Sequence, residues 1–275
     1  MNVESFMPII QGFLGGAVSA GVFKGPITSL EDWWYVNYGH DISKTASLLR
    51  AKNEVDVEKF KEDILKEAST VKPENILEPK INILGPALEA SKYYIDEEQM
   101  RKMFAKLIAS SMDKSKEGFA RSSFVEIIKQ LTPIDAMNLK TLYDNGGEDV
   151  ICKLIFRALN GYHLHSSHVI FNEDDISTHG ITESSLDNLV RVGLIEIDYS
   201  RQLANTFAVQ KYNQIQTMPL YQEALTEMET VNIQIRHTTN QSILKEMGGS
   251  EYSIDLIKGA YKLTSFGKDF CISCL

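Results

Sequence analysis

The sequence predicts a mostly α-helical protein, in which a helical N-terminal region is followed by a winged-helix-like α+β module. Three observations predict this. Met100, Met103, Phe104, Leu107, Ile108 and Met112 fall on one helical stripe. Helix start and stop signals recur through the first half of the chain. Past the Gly146-Gly147 pair, short strand-like runs alternate with capped helices, an order of helix, helix, capped helix and β-ribbon that suits a winged helix. The predicted divisions are residues 1–39 for a Gly-rich apolar helix and an aromatic helix, 40–131 for a helical domain, and 132–275 for the winged-helix-like domain.

The elements follow in chain order. Ser5 to Phe23 carries no charge and is closed by Lys24, Gly25 and Pro26. In "TSLEDWWYVNYG", Thr28 or Ser29 can cap a helix, and Glu31 and Asp32 suit the positive end of its dipole. "DISKTASLLRAKNEVDVEKFKEDILKEAS" reads as one or two amphipathic helices with Leu48, Leu49, Val57, Phe60, Ile64, Leu65 and Ala68 on the apolar side. Pro73, Pro79 and Pro86 predict a broken connection through "TVKPENILEPKINILGP". The striped helix follows, with Arg101, Lys102 and Lys106 off the stripe. Ser123 and Glu126 are spaced as a capping box, and Thr132, Pro133 and Asp135 open the next helix.

The second half changes character. "DVICKLIFRALN" is expected as a helix, "HVIF" as a short strand and "NEDD" as an acidic turn. "TESSLDNLVRVG" is expected as a capped helix, and "LIEIDYS" as a strand with "QLANTFAVQKY" as its hairpin partner. A long polar helix should run from Pro219 to Asn240. "GAYKLTSFGKDFCISCL" should give a strand, a Thr264 cap and a terminal helix.

Bulk properties narrow the function classes. The chain has 275 residues and a net charge of −9, so polyanions are repelled on average. Between residues 132 and 200, eleven acidic residues face four basic ones, a net −7. The expected recognition helix carries Glu183 and Asp187 against Arg191 alone, so DNA is disfavoured as its partner. Three cysteines give no disulfide framework and suit a cytoplasmic protein. No secretory leader is expected, because residues 1–5 lack Lys and Arg.

Two short motifs carry metal-binding chemistry in outline. His163, His165 and His168 follow the H-x-H-x-D-H spacing of metallo-β-lactamase-like hydrolases, but Ser167 occupies the Asp position. Cys271 and Cys274 form a C-x-x-C at the end of the chain, without a second ligand pair. Neither is taken as a metal site, no cofactor is expected, and no Walker-type phosphate loop is present. Met100, Met103 and Met112 are read as core filling.

Gly12, Gly16 and Ala20 form a ridge of small residues that lets two helix backbones approach closely. Phe6 to Phe23 would span about 27 Å as a helix, short of a ~30 Å hydrocarbon core. The ridge therefore suits packing within the fold or between subunits, with conditional membrane association as the alternative. Trp33, Trp34 and Tyr35 cannot all face one side of a helix. The candidate interaction residues are Gly12, Gly16, Ala20, Trp33 and Trp34.

Four segments resemble one family: "LGPALEASKYYIDEEQMRKMFAKLIASSMD", "SFVEIIKQLTPIDA", "LDNLVRVGLIEI" and "YKLTSFGKDFC". In order and content they are similar to the abortive-infection alpha family of bacterial phage-resistance proteins, from about residue 75 onward. The departure is Arg121-Ser122-Ser123, where the family pattern has a His-Pro lead. The resemblance implies a bacterial cytosolic protein that limits phage propagation by harming or arresting the infected cell. It implies no established enzyme activity and no catalytic residues. The expected function is abortive infection through protein–protein interaction, as a homo-oligomer triggered by a phage protein. One mechanism compatible with that expectation has residues 5–23 released to the membrane on activation. A winged-helix transcriptional regulator and a metal-dependent hydrolase at the three histidines are the alternatives.

Overall fold

A computed structural model describes residues 45–77, 79–171, 179–238 and 250–275. Gly12, Gly16, Ala20, Trp33 and Trp34 lie outside the described residues, as do the uncharged 5–23 stretch, the aromatic helix and the "NEDD" turn. The chain divides into two compact units, one ending at Ala136 but including Asp269–Leu275, the other Met137–Lys268. The described residues are mostly helical, with a four-stranded antiparallel sheet in the second unit.

The first unit is built on helices α1 (Thr45–Ala68), α2 (Ile81–Ser91), α3 (Glu98–Ser111) and α4 (Ser123–Ile128), with the start of α5 (Pro133–Asp144). The α3 stripe is buried as its spacing requires: Met100, Met103, Phe104, Leu107 and Ile108 lie in the core with Met112 just beyond the helix. Phe60 and Ile64 of α1 are buried in the same unit. Arg101 departs from its expected place off the stripe. It is only 8% exposed, and its Nε donates to Asp63 Oδ2 at 2.8 Å while Nη1 donates to the Ile95 carbonyl at 3.2 Å. A buried guanidinium needs such partners, and both are supplied from outside its own helix.

Three local expectations in this unit are decided by context. The proline-broken connection holds only to residue 80. Pro86 lies inside α2, where it removes one helical hydrogen bond, yet Ile83, Leu84, Ala87 and Leu88 bury one face of the helix. The Ser123–Glu126 capping box is not formed. Ser123 is the first helical residue and Ser122 occupies the cap without a side-chain bond; Phe124 and Val125 N–H donate instead to the carbonyls of Arg121 and Ser122. Thr132 does cap α5: Asp135 N–H donates to Thr132 Oγ1 at 3.3 Å, and Thr132 N–H returns a bond to Asp135 Oδ2 at 2.7 Å.

In the second unit, Gly146 (φ 93°) and Gly147 (φ 81°) end α5 in the left-handed region, and Gly147 N–H donates to the Leu142 carbonyl. The chain then enters β1 (Glu148–Ala158) and β2 (Gly161–Val169). Helix α6 (His179–Arg191) and strand β3 (Ile195–Asp198) follow, then α7 (Thr206–Gln214), α8 (Pro219–His237), β4 (Ser253–Leu263) and α9 (Ser265–Cys274). The sheet order is β2-β1-β4-β3, all antiparallel.

The expected helix over "DVICKLIFRALN" is therefore a strand. Val150, Ile151, Cys152, Leu154 and Ile155 are all buried, so β1 is covered on both faces and loses the alternation that marks a half-exposed strand. The expected hairpin partner "QLANTFAVQKY" is helix α7. Asn205 caps it by accepting from Ala208 N–H at 2.9 Å, and Ala208 and Tyr212 are buried one turn apart. Phe207 and Val209, whose types suggest a strand, are its exposed residues. The real partner of β3 is β4, about 55 residues later in the chain. The hairpin β1–β2 precedes α6 and the β3–β4 pair is not a hairpin, so the α+β region does not establish a winged helix. Strand β3, the long helix α8 and the Thr264-capped α9 fall where the sequence places them; Gly267 N–H donates to Thr264 Oγ1 at 2.8 Å.

Candidate functional site: a polar junction on one sheet face

The register splits the central strands into two faces. Val150, Cys152, Leu154 and Phe156 of β1 face α7 and α8, where Ala208, Tyr212, Leu220, Ala224, Met228 and Ile235 complete dry clusters. Alternation sends Lys153 of β1 and Gly259 of β4 to the opposite face. Pairing between β1 and β2 shifts on either side of Leu154, from Cys152↔Val169 to Leu154↔Ser166 and then to Ile155↔Leu164. These irregularities re-aim the β2 side chains. One of them places His168 at φ 51°, the only non-glycine residue with positive φ among the described residues. Such backbone costs about 1–2 kcal/mol for an L-residue and needs support from its surroundings.

That support is a hydrogen-bonded chain. Tyr199, just past β3, accepts from His168 N–H at 3.2 Å. Its hydroxyl also lies 2.9 Å from His168 Nδ1, and His168 Nε2 lies 3.0 Å from Asp187 Oδ1 on α6. The Asp187 carboxylate only accepts, so Nε2–H donates to it, and Nδ1 shares a hydrogen bond with the Tyr199 hydroxyl. Ser167 donates to Glu183, one turn before Asp187 on the same helix face. The Lys153 ammonium stands 4.3 Å from the Tyr199 ring centroid. A Cβ at Gly259 would meet Tyr199 Cδ1 at 2.7 Å and the Asp198 carbonyl at 2.8 Å, so glycine is what lets the ring lie on the strand.

Burial raises the Tyr199 phenol well above the usual tyrosine range. It stays protonated and acts as a donor rather than a nucleophile. The junction ties β2, α6 and the end of β3 together through Tyr199, His168 and Asp187.

The three histidines do not converge. His163 meets the Tyr252 ring edge-on at 5.5 Å, and His165 lies between Ser166 Oγ (2.7 Å) and Glu227 Oε2 (3.2 Å), close to Phe156. His168 is bound to Tyr199 and Asp187 instead. Among the described residues, no three His, Cys, Asp or Glu side chains gather closely enough to hold a metal ion. Cys152, Cys271 and Cys274 are buried and form no disulfide. Burial pushes the Cys152 thiol up to about 12 and that of Cys274 well above its usual value.

Sequence reasoning singled out His168, Glu183 and Asp187 separately, for metal and DNA chemistry. It missed Tyr199 and Lys153. The i, i+4 spacing of Glu183 and Asp187 was the available signal, because it puts two carboxylates on one helix face.

Taken together, a helical unit and an α+β unit with a hydrogen-bonded junction define a protein of α and α+β architecture. The chain belongs to the abortive infection alpha family, which its sequence matches over residues 52–274. No curated protein and no solved structure matches it.

Proposed function

We propose that this protein is an abortive-infection effector that acts by contact with other proteins, as a homo-oligomer, when a phage component is present. The family match over residues 52–274 carries this reading. Two features of the second unit support it. The carboxylates of α6 are engaged with β2, and the acidic balance of residues 132–200 disfavours DNA as the partner. The tip of the β1–β2 hairpin carries exposed Leu159 (78%), Tyr162 and Leu164, an apolar group on an edge strand.

In this proposal residues 5–23 associate with the membrane only after activation. No helix among the described residues is long and apolar enough to cross a membrane. The test is phage challenge of cells expressing the protein, with fractionation and a membrane-impermeant dye read in parallel. Plaque formation falls, and infected cells stop growing before phage release. Normal plating by a panel of unrelated phages would sink the defence reading. The membrane step has its own readout: Gly12→Leu/Gly16→Leu abolishes dye entry and membrane fractionation, and a double variant that still permeabilises cells overturns that step alone.

A further inference from the structure

On the dry face of the sheet, β4 and the start of α8 leave a cleft of about 200 Å³. Its wall is apolar where Ile254 and Leu256 contribute, and its polar groups differ in kind from those of the junction on the other face. Lys258 lines it, half-buried, with its ammonium 5.2 Å from the Tyr212 ring centroid. Among the described residues no carboxylate lies within ion-pair reach of Lys258. The acid nearest in sequence, Asp255, is already engaged: Arg157 Nε donates to its Oδ2 and Leu256 N–H to its Oδ1, each at 2.8 Å. Cys152, opposite Lys258 in the ladder, stays a neutral thiol through burial. Asp255 also lines the cleft, but its charge is met by Arg157, so Lys258 is left there without an ion pair, in a chain that is net −9.

The remaining groups point to a ring-bearing ligand. Tyr221 is half-buried and lines the cleft, whereas Tyr212 is buried with its hydroxyl donated to the Gly259 carbonyl. Asn213 and Gln216, both exposed, also line it, and their side-chain amides make no hydrogen bond to another described residue. Each offers a donor and an acceptor side by side, the pattern that reads the edge of a nucleobase. Aromatic rings stack on bases, and an ammonium takes a phosphate. Helix α8 begins at Pro219, two residues before Tyr221, with no side-chain cap.

We propose that this cleft binds a small phosphate carrying a planar base, of the size of a nucleoside monophosphate. Lys258 takes the phosphate, Tyr221 stacks on the base, and Asn213 and Gln216 read its edge. The site is separate from the polar junction and does not depend on the defence reading.

Calorimetric titration of the full chain tests it, with adenosine 5′-monophosphate, uridine 5′-monophosphate, adenosine and inorganic phosphate as probes. At least one monophosphate binds saturably, about tenfold or more tighter than adenosine or inorganic phosphate, because charge and ring each contribute. Lys258→Gln weakens the monophosphate about tenfold and brings it close to adenosine. Tyr221→Leu weakens it by a similar factor and brings it close to inorganic phosphate. Lys258 has no ion-pair partner, so Lys258→Gln should keep the melting temperature, which serves as the folding control. Lack of saturable binding by both monophosphates overturns the proposal. So does inorganic phosphate binding as tightly as they do, or unchanged affinity in a folded Lys258→Gln variant.

Discussion

The two faces of the four-stranded sheet use the same strands for opposite chemistry. On the face toward α7 and α8, Cys152, Leu154 and Phe156 lie in apolar clusters, and Asn232 is a buried polar residue beside them. That amide donates to the Tyr252 carbonyl at 2.9 Å and accepts from Tyr252 N–H at 2.7 Å, so it pairs with the backbone as another strand would. On the other face, one residue along β1, Lys153 faces a ring, and a strained histidine is held by a phenol and a carboxylate. The dry face gains its stability from area and fit. The polar face gains it from a complete set of hydrogen-bond partners, and it fails if one partner is removed.

This contrast can be broken from either side. The largest effect is expected at high pH. Cys152 has its folded pKa raised to about 12, so its contribution to stability is complete below the unfolded thiol value of about 8.5 and is lost as pH rises from there toward 12. The Tyr199 phenol is shifted in the same direction, so its loss starts later, above about 10. Denaturant titrations at pH 7 to 11 should show level stability to about 8.5 and a decline above it. Cys152→Ala should make the decline between 8.5 and 10 shallower, although buried Cys274 still contributes to it. An unchanged slope in that variant would mean that the dry face plays no part in the decline.

Next in size is Leu154→Ala, which opens a cavity in the dry face and should cost about 3 kcal/mol by chemical denaturation. Gly259→Ala attacks the polar face by sterics, since its Cβ would press on Tyr199 and on backbone that cannot yield. A loss of about 2 kcal/mol is expected, accompanied by a changed Tyr199 environment in NMR. If Gly259→Ala folds with wild-type stability, Tyr199 does not need to lie against β4.

The smallest effects separate strain from hydrogen bonding. Tyr199→Phe keeps the ring and removes the hydroxyl, leaving His168 N–H without its acceptor; about 1–2 kcal/mol should be lost. His168→Gly relieves the positive φ but gives up the ring bonds, so its net change should be within about 1 kcal/mol of zero. His168→Ala keeps the strain and loses the bonds, and should be the less stable of the two. Equal stability of the Gly and Ala variants would mean that φ 51° carries no strain to relieve.

Helices α1, α3, α4, α5, α6, α8 and α9 were legible because each carries its own evidence. The α3 stripe, the Thr132–Asp135 box, the Gly146-Gly147 stop and the Thr264 cap are local signals, satisfied by residues within a few positions. For β1 and α7, where the sequence misled, the deciding partner lay far along the chain. β1 became a strand because β2 and β4 flank it, and burial on both faces removed its alternation. α7 became a helix because Ala208 and Tyr212 found the sheet, while its strand-forming residues were left outside. The polar junction was legible only in fragments. His168, Asp187 and Tyr199 lie in three separate segments, and no spacing rule predicts that a register shift will turn one histidine of three toward the other two residues.

The sequence alone determined the coarse class of architecture, the Thr132 and Thr264 caps, the acidic balance and the family. These depend on composition and on contacts within one or two helical turns. Only the tertiary structure decided the strand order, the burial of Arg101 beside Asp63, the split of β1 into a dry and a polar face, and the position of Lys258 in its cleft without an ion pair. The reason is physical. Local propensities differ by tenths of a kcal/mol per residue, whereas burying a side chain or satisfying a buried polar group is worth about 1–3 kcal/mol, and burial on that scale arises only when distant segments meet.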